Sequence, residues 1–213
     1  DLKDRLVGMI TIDDVIDVID EEAEEDLLAL AGVGDANLRS GLWETLKGRS
    51  SWLFLNLLTA VLASAVIGLF EATIERLVAL AVLMPIVASM GGNAGTQTMT
   101  VAVRAIALRQ LDATATRQFV LRELIVATTN GLLFAALAAG LSYLWFGDPE
   151  IAIVMAVAMM ANLLVAGLSG TFVPVGLMRA GVDPAVASSV FVTTITDVVG
   201  FFVFLGLAAL YLM

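Results

Sequence analysis

Long apolar segments follow one another along almost the whole chain after residue 51, and this pattern constrains the fold most. A helix needs about 20 apolar residues to cross the hydrocarbon core of a bilayer. Five segments meet that length: residues 52–70, 77–106, 124–146, 151–178 and 186–213. Lipid offers the backbone no hydrogen-bond partners, so such segments satisfy their own peptide groups as helices. With only 15% charged residues, against roughly 25% in soluble domains, the sequence predicts an all-α integral membrane protein with five transmembrane helices.

The basic residues predict the orientation, because they collect on the cytoplasmic side of membrane proteins. Three of the four links between spans are short, so neighbouring spans run antiparallel. With five spans, nearly all the bases near the membrane fall on one side: Lys47, Arg49, Arg104, Arg109, Arg117, Arg122 and Arg179. Only Arg76 falls on the other side. We expect a prokaryotic plasma (inner) membrane protein with a cytoplasmic N-terminus and a C-terminus outside.

The first 47 residues carry most of the net charge. They contain 13 acidic and 4 basic residues, a net charge of −9 out of −10 for the chain. Residues 5–12 have the pattern of a short strand, and an amphipathic helix follows that Thr11 or Asp13 caps. A strand this close to the start of the chain is expected to be the end of a soluble domain. The negative charge argues against nucleic acid and anionic lipid as partners, and it suits divalent cations.

Acidic side chains cluster on the polar faces of this amphipathic helix, and two interpretations stay open. They form either a solvated face or a set of divalent-ion sites, in which the ion relieves repulsion between neighbouring carboxylates. The absence of Cys and His excludes the thiolate and imidazole ligands that zinc, copper and nickel prefer. Carboxylate, carbonyl and hydroxyl oxygens remain, and these bind hard cations such as Mg²⁺.

Asp197 is a single carboxylate inside the fifth apolar segment. A charge at membrane depth costs several kcal/mol, so such residues usually face a pore, a cavity or a partner. Three hydroxyls, those of Thr193, Thr194 and Thr196, stand within about one helical turn of it. We interpret this as an oxygen-rich patch suited to a hard cation.

A second polar feature interrupts the second apolar segment at residues 91–97, GGNAGTQ, two turns after Pro85. Three glycines in five residues weaken a helix, and irregular backbone at membrane depth is tolerated where it lines a cavity or packs on protein. Glycines also allow close helix packing. The added oxygens of Asn93, Thr96 and Gln97 favour a polar conduit over packing alone.

Together these segments resemble the MgtE family of magnesium channels over nearly the whole chain. The resemblance is carried by Pro85 with GGNAGTQ at 91–97, by DPA at 183–185, by TTITDVVG at 193–200 and by RSSWL at 49–53. Residues 7–14, VGMITIDD, look like the closing strand and helix of a CBS domain. The resemblance implies a homodimer of five-span protomers, with a Mg²⁺ pore on the dimer axis lined by the second and fifth spans.

The resemblance also implies roles for individual residues. The pore acid falls on Asp197, one from each subunit, where the paired carboxylates hold a hydrated Mg²⁺ ion. The implied pore-lining residues are Gly91, Gly92, Asn93, Thr96, Gln97, Ser189, Thr193, Thr194 and Thr196. The implied regulatory metal ligands are Asp14, Asp17, Glu22, Glu25 and Asp26. The implied division is a residual CBS-type regulatory domain at 1–20, a plug helix and membrane approach at 21–50, and a pore domain at 51–213.

In this family picture Mg²⁺ is both the transported ion and a regulator. Cytosolic Mg²⁺ holds the regulatory domains and the plug helix together and closes the pore. Because the chain begins near the end of the regulatory domain, weak magnesium-dependent closure is expected. Some family members carry Asn where this chain has Thr96 and Ser189, which leaves the selectivity among Mg²⁺, Mn²⁺ and Co²⁺ open.

Three alternatives to a passive channel remain. A secondary carrier that couples a divalent cation to Na⁺ or H⁺ would use Asp197 equally well, since carboxylates relay protons and bind ions. An intramembrane aspartyl enzyme needs two carboxylates that share a proton, and each chain offers only one in such a setting, so we expect no enzymatic activity. A purely structural subunit would leave the membrane carboxylate unexplained.

Overall fold

The computed structural model describes residues 10–30, 41–110 and 113–213. Within these ranges the chain forms seven helices and no strand: α1 (Ile12–Leu30), α2 (Leu42–Gly68), α3 (Glu71–Arg76), α4 (Val78–Ala107), α5 (Ala113–Phe146), α6 (Pro149–Arg179) and α7 (Pro184–Tyr211). Five of them, α2 and α4 to α7, are long and apolar enough to cross a membrane. The predicted all-α fold with five transmembrane helices is confirmed. The main difference is that α2 and α5 begin at Leu42 and Ala113, well before the predicted starts at residues 52 and 124.

Two of the membrane-spanning helices begin at an Asp-Pro pair. Asp183 caps α7 by accepting a hydrogen bond from the Ala185 N–H at 2.8 Å, with Pro184 in the first turn. Asp148 caps α6 in the same way, accepting from the Glu150 N–H at 2.8 Å. The first N–H groups of a helix have no partner inside it, and proline has none to satisfy. Each Asp-Pro pair is therefore a local signal, visible in the sequence, for the start of a helix.

Helix α1 begins at a reciprocal cap between Thr11 and Asp14. The Thr11 hydroxyl accepts from the Asp14 N–H at 3.3 Å, and the Asp14 carboxylate accepts from the Thr11 N–H at 2.7 Å. This capping box makes Thr11, rather than Asp13, the cap. The strand predicted over residues 5–12 falls mostly outside the described residues, and it is wrong at its end, because the cap starts the helix at Ile12. Helix α1 then continues without a break through residues 20 and 21.

Helix α6 lies at the centre of the bundle, where it packs against α4, α5 and α7. The core between α4, α6 and α7 contains side chains that are completely or almost completely buried: Leu80, Leu83, Met155, Met159, Phe204 and Leu205. Helix α2 packs mainly on α7 and leaves most of its apolar side chains exposed. Helices α4, α6 and α7 therefore form the frame that positions polar residues at membrane depth.

The last turn of α1 rests on this frame. Ala29 and Leu30 pack against a small buried cluster that α4 and α7 supply: Met99, Val103, Ala185 and Val192. Earlier in α1 the apolar side chains of Val15, Ile16 and Ile19 are exposed. The acidic helix therefore touches the membrane bundle through its C-terminal end.

Helix α4 is uninterrupted from Val78 to Ala107, although it contains Pro85 and the glycines of the GGNAG sequence. The expectation of a weakened, irregular backbone there is wrong. Each glycine costs a helix about 1 kcal/mol relative to alanine, but Gly91 and Gly95 let neighbouring helices approach closely. A Cβ atom at Gly95 would lie 2.6 Å from the Val192 Cγ1 of α7. Helix packing therefore stabilises a segment that would be weak in isolation.

Candidate functional site

Asp197 lies at the middle of α7, 13 residues after Pro184 and 14 before Tyr211. At 1.5 Å per residue, it is about 20 Å from either end of the helix, close to the centre of the membrane. Its side chain is half-buried. Among the described residues it has no hydrogen-bond or ion-pair partner. A carboxylate in this position lacks the protein counter-charge that intramembrane acids usually have.

The neighbouring threonines direct their hydroxyl protons to the backbone of α7. Thr193 Oγ1 donates to the Ser189 carbonyl at 2.9 Å, Thr194 Oγ1 donates to the Val190 carbonyl, and Thr196 Oγ1 donates to the Thr193 carbonyl at 2.9 Å. Each hydroxyl oxygen keeps its acceptor capacity. On the half-buried Thr193 and Thr194, these oxygens can accept hydrogen bonds from water around a cation. Thr196 is completely buried against α4.

Helix α4 carries a line of exposed polar side chains beside this region. They recur every three or four residues and therefore share one face of the helix; we call them the polar stripe: Ser89, Asn93, Thr96, Gln97 and Thr100. Asn93 Nδ2 donates to Ser89 Oγ at 3.4 Å, and Asn93 sits at the middle of α4. Exposed polar groups at this depth require water or a second protein surface.

Gly92 brings the polar stripe next to the face of α7 that carries Asp197. A Cβ atom at Gly92 would lie 4.0 Å from Thr193 Cγ2, an ordinary van der Waals distance. Thr193 precedes Asp197 by one helical turn, so the two lie on the same side of α7. Asn93, Thr193 and Asp197 therefore belong to one region at mid-membrane depth.

Behind this region, Asn162 of α6 fills the space that two glycines leave open. A Cβ atom at Gly91 would lie 2.8 Å from Asn162 Cγ, and one at Gly200 would lie 2.9 Å from it. Asn162 is 0% exposed, and its Nδ2 donates to the Val87 carbonyl at 2.8 Å. Its Oδ1 has no partner. The hydrogen bond to Val87 joins α6 to α4.

The structure thus divides the predicted pore-lining residues into two groups. Exposed or half-buried positions lie along the polar stripe and the adjacent face of α7: Gly92, Asn93, Thr96, Gln97, Ser189, Thr193 and Thr194. Gly91 and Thr196 are buried between helices of the same chain. The close-packing and polar-surface interpretations of GGNAGTQ therefore each describe different residues of the same segment.

The predicted regulatory carboxylates lie on α1. Asp14, Asp17 and Glu25 are exposed, whereas the side chains of Glu22 and Asp26 lie outside the described part of the structure. The Thr11 hydroxyl and then the Thr11 N–H, each 2.7 Å from the Asp14 carboxylate, hold the pKa of Asp14 below its ordinary value of 3.8. Among the described side chains, no three acids come close enough together to hold a metal ion.

Sequence reasoning missed Glu123, a carboxylate of α5. Its Oε2 accepts a hydrogen bond from Thr98 Oγ1 of α4 at 2.9 Å. Glu123 directly precedes the apolar stretch predicted to span the membrane, so it looked like a flanking charge. Its partner lies 25 positions earlier in the chain. The available signal was weak: a carboxylate four residues before Ala127 and seven before Asn130, all on one helical face.

Comparisons with known proteins find a matching family model and similar relatives. A family model named MgtE and described as a divalent cation transporter matches residues 84–207, which include the polar stripe and Asp197. The magnesium transporter MgtE of Thermus thermophilus is 37% identical over 215 aligned positions, covering 100% of this chain and 48% of the relative. The magnesium transporters MgtE of Bacillus subtilis (32% identity, 97% of this chain, 46% of the relative) and Enterococcus faecalis (30%, 100% and 47%) are also similar. The chain spans about half the length of these curated relatives.

Proposed function

Because the chain belongs to the MgtE family of divalent cation transporters, we propose that it forms the pathway by which Mg²⁺ crosses the membrane, with Asp197 as the ion site. One observation carries the proposal. Asp197 is an uncompensated carboxylate at mid-membrane depth, beside a stripe of exposed oxygen-bearing side chains. The three relatives are named magnesium transporters, which supports Mg²⁺ as the ion.

The chemistry of this region suits a hydrated ion. Mg²⁺ sheds its water reluctantly and usually keeps several waters when bound. The Asp197 carboxylate attracts the charge and accepts hydrogen bonds from these waters. The hydroxyl oxygens of Thr193 and Thr194 and the amide of Asn93 extend the set of groups that contact the hydration shell. The site holds the ion by charge and water-mediated contacts, so that the ion can also leave.

A second copy of the chain completes the pathway in this proposal. The polar stripe of α4 is exposed in a single chain, and polar side chains at this depth are costly when they face lipid. Two-fold pairing is the commonest symmetry of homo-oligomers, and it brings one surface patch against itself. It would place the two stripes, and the two Asp197 side chains, around a shared axial pore lined by α4 and α7.

Gating is proposed to act through α1. The last turn of α1 packs on the same ends of α4 and α7 that would form the cytoplasmic mouth of the pore. The exposed acids of α1 support a sensor role in which cytosolic Mg²⁺ holds α1 and a CBS-type domain together. With the bases on the cytoplasmic side, this mouth faces the cytoplasm of a prokaryotic cell, and the C-terminus lies outside.

Single-cysteine variants test the pathway directly, since the natural sequence contains no cysteine. We expect a cationic, membrane-impermeant thiol reagent to modify Asn93→Cys in proteoliposomes and to block Mg²⁺ uptake. Leu132→Cys on α5 is the matched control, because Leu132 is 63% exposed in the chain but would face lipid and stay unmodified. Modification of Leu132→Cys alone, or of Asn93→Cys without loss of uptake, would contradict the proposal.

Voltage separates a channel from a carrier. Uptake that follows the membrane potential and needs no other ion supports the passive channel proposed here. Uptake that requires a Na⁺ or H⁺ gradient supports the secondary carrier instead.

A further inference from the structure

A small cavity lies between α4, α5 and α6, apart from Asp197. Its volume is about 40 Å³, and its lining residues come from three helices: Ala94, Gln97, Thr98, Val126, Ala127, Asn130, Leu163 and Gly167. A cavity of this size holds roughly one to three water molecules. Glu123 is not itself a lining residue, but it lies directly behind one, because its carboxylate accepts the hydroxyl proton of Thr98.

Each polar side chain at or next to this cavity carries an oxygen atom that could contact a hard cation. They are the Glu123 carboxylate, the Thr98 hydroxyl and the side-chain amides of Gln97 and Asn130. Thr98 is 8% exposed, so the inner side is well shielded, whereas Gln97 and Asn130 are exposed and form the outer rim. Because the Thr98 hydroxyl donates to Glu123, its own oxygen remains free to accept.

The carboxylate here also lacks a protein counter-charge. Among the described residues, Glu123 has no ion-pair partner, and its one side-chain hydrogen bond is with Thr98. An acid buried in part between membrane helices normally pairs with a base or marks an ion path. A bound cation would supply the missing charge.

The cavity and Asp197 lie on different sides of α4. Each residue turns the helix by about 100°, so Gly92 and Ala94 lie about 100° to either side of Asn93. Gly92 faces Thr193 of α7, on the side of Asp197, whereas Ala94 lines the cavity. Gln97 lies between them, at the edge of the polar stripe. An ion in the cavity would therefore occupy a separate site.

We propose that this cavity is a binding site for a monovalent metal cation, Na⁺, held by Glu123 with Thr98, Gln97 and Asn130. One carboxylate balances one positive charge. Mg²⁺ demands octahedral coordination and keeps several waters, whereas this cavity has room for roughly one to three water molecules, so Mg²⁺ would have to lose most of its hydration shell to enter. Losing water costs a monovalent ion less than a divalent one, since the Born cost grows with the square of the charge. The site therefore selects against the ion that the pathway carries.

Thermal unfolding of the purified protein in detergent tests the site without any transport. NaCl is compared with choline chloride at equal ionic strength, which holds charge screening constant. A ligand that binds the folded state stabilises it in proportion to the logarithm of its concentration. We expect NaCl to raise the unfolding midpoint by roughly 2–6 °C, with saturation as the site fills.

Three variants locate the effect. Glu123→Gln keeps the size of the side chain and an oxygen for Thr98 but removes the charge, so the NaCl response should disappear. Asn130→Leu keeps the charge and removes one rim oxygen, so the response should need more NaCl. Glu150→Gln, an exposed acid at the start of α6 and outside the cavity lining, should respond as the natural chain does.

Each possible result either supports or overturns the proposed Na⁺ site. No difference between NaCl and choline chloride in the natural chain would overturn the proposal and leave Thr98–Glu123 as a helix-packing contact. An undiminished response in both Glu123→Gln and Asn130→Leu would place Na⁺ elsewhere. If Glu123→Gln fails to fold, the Asn130→Leu comparison alone decides. None of these unfolding measurements depends on Mg²⁺ transport. A failure of the Na⁺ site can therefore be distinguished from a failure of the proposed function.

Discussion

Two adjacent glycines of α4 should respond in opposite ways to the same substitution. Gly91→Ala places a Cβ atom 2.8 Å from Asn162 Cγ, closer than such atoms approach in proteins. Gly92→Ala places one 4.0 Å from Thr193 Cγ2, an ordinary contact. The two variants share helix, depth and chemistry. They differ in whether a buried amide stands in the way.

The expected loss in the free energy of unfolding follows from the interactions that Asn162 would lose. It is completely buried and donates to the Val87 carbonyl, so moving it leaves buried polar groups unpaired, at about 1–3 kcal/mol. Overpacking adds about 1–3 kcal/mol, and the better helix propensity of alanine returns about 1 kcal/mol. The net expectation is a loss of about 1–5 kcal/mol for Gly91→Ala, and a change between zero and a gain of about 1 kcal/mol for Gly92→Ala.

Thermal unfolding in detergent measures the difference, and a double mutant identifies its cause. In an Asn162→Ala background the obstructing amide is gone, so Gly91→Ala should cost much less than in the natural chain. Such non-additivity is the signature of residues in direct contact. Equal midpoints for Gly91→Ala and Gly92→Ala, or an undiminished cost in the Asn162→Ala background, would refute the packing described here.

Three further predictions concern other parts of the chain. Gly170→Ala of α6 should destabilise by a few kcal/mol, because its Cβ would lie 2.7 Å from a backbone oxygen of α4, whereas Gly176→Ala has nothing within 4 Å; unfolding midpoints check both. The pKa of Asp14 lies below its ordinary value of 3.8, so its cap stabilises α1 at pH values above 3.8, and this stabilisation is lost as the pH falls through the lower pKa of the folded state. Hydrogen exchange in α1 should therefore rise over that pH range in the natural chain. Asp14→Asn should not show this pH dependence. In the proposed orientation, Glu71 and Glu75 are exposed on the outer side and attract cations. Their joint change to Gln should lower Mg²⁺ uptake several-fold at low ionic strength and leave it unchanged at high salt.

The sequence predicts the five spans and the Asp183 cap well, because these depend on local composition and helix-end chemistry. It does not predict that α4 is continuous, because the support for Gly91 and Gly95 comes from α6 and α7, far away in the chain. Composition alone also cannot separate the polar residues that face outward, such as Asn93, from those packed inside, such as Thr196. That division depends on which face each neighbouring helix covers.

The contact between Thr98 and Glu123 also cannot be predicted from the sequence. Thr98 and Glu123 come together only once α4 and α5 are both packed on α6. The regulatory carboxylates of α1 are a different case. Their spacing along one helix is readable from the sequence, but a metal site needs ligands that converge, and the described acids of α1 do not.

Uptake measured at a fixed membrane potential shows whether Mg²⁺ crosses the membrane past Asp197. Proteoliposomes holding equal amounts of the natural chain, Asp197→Asn and Asp197→Glu would be compared with a Mg²⁺-sensitive dye. We expect potential-driven uptake in the natural chain, its loss in Asp197→Asn, which is the same size without the charge, and partial retention in Asp197→Glu. Equal uptake in the natural chain and Asp197→Asn would contradict the account and move the ion site elsewhere.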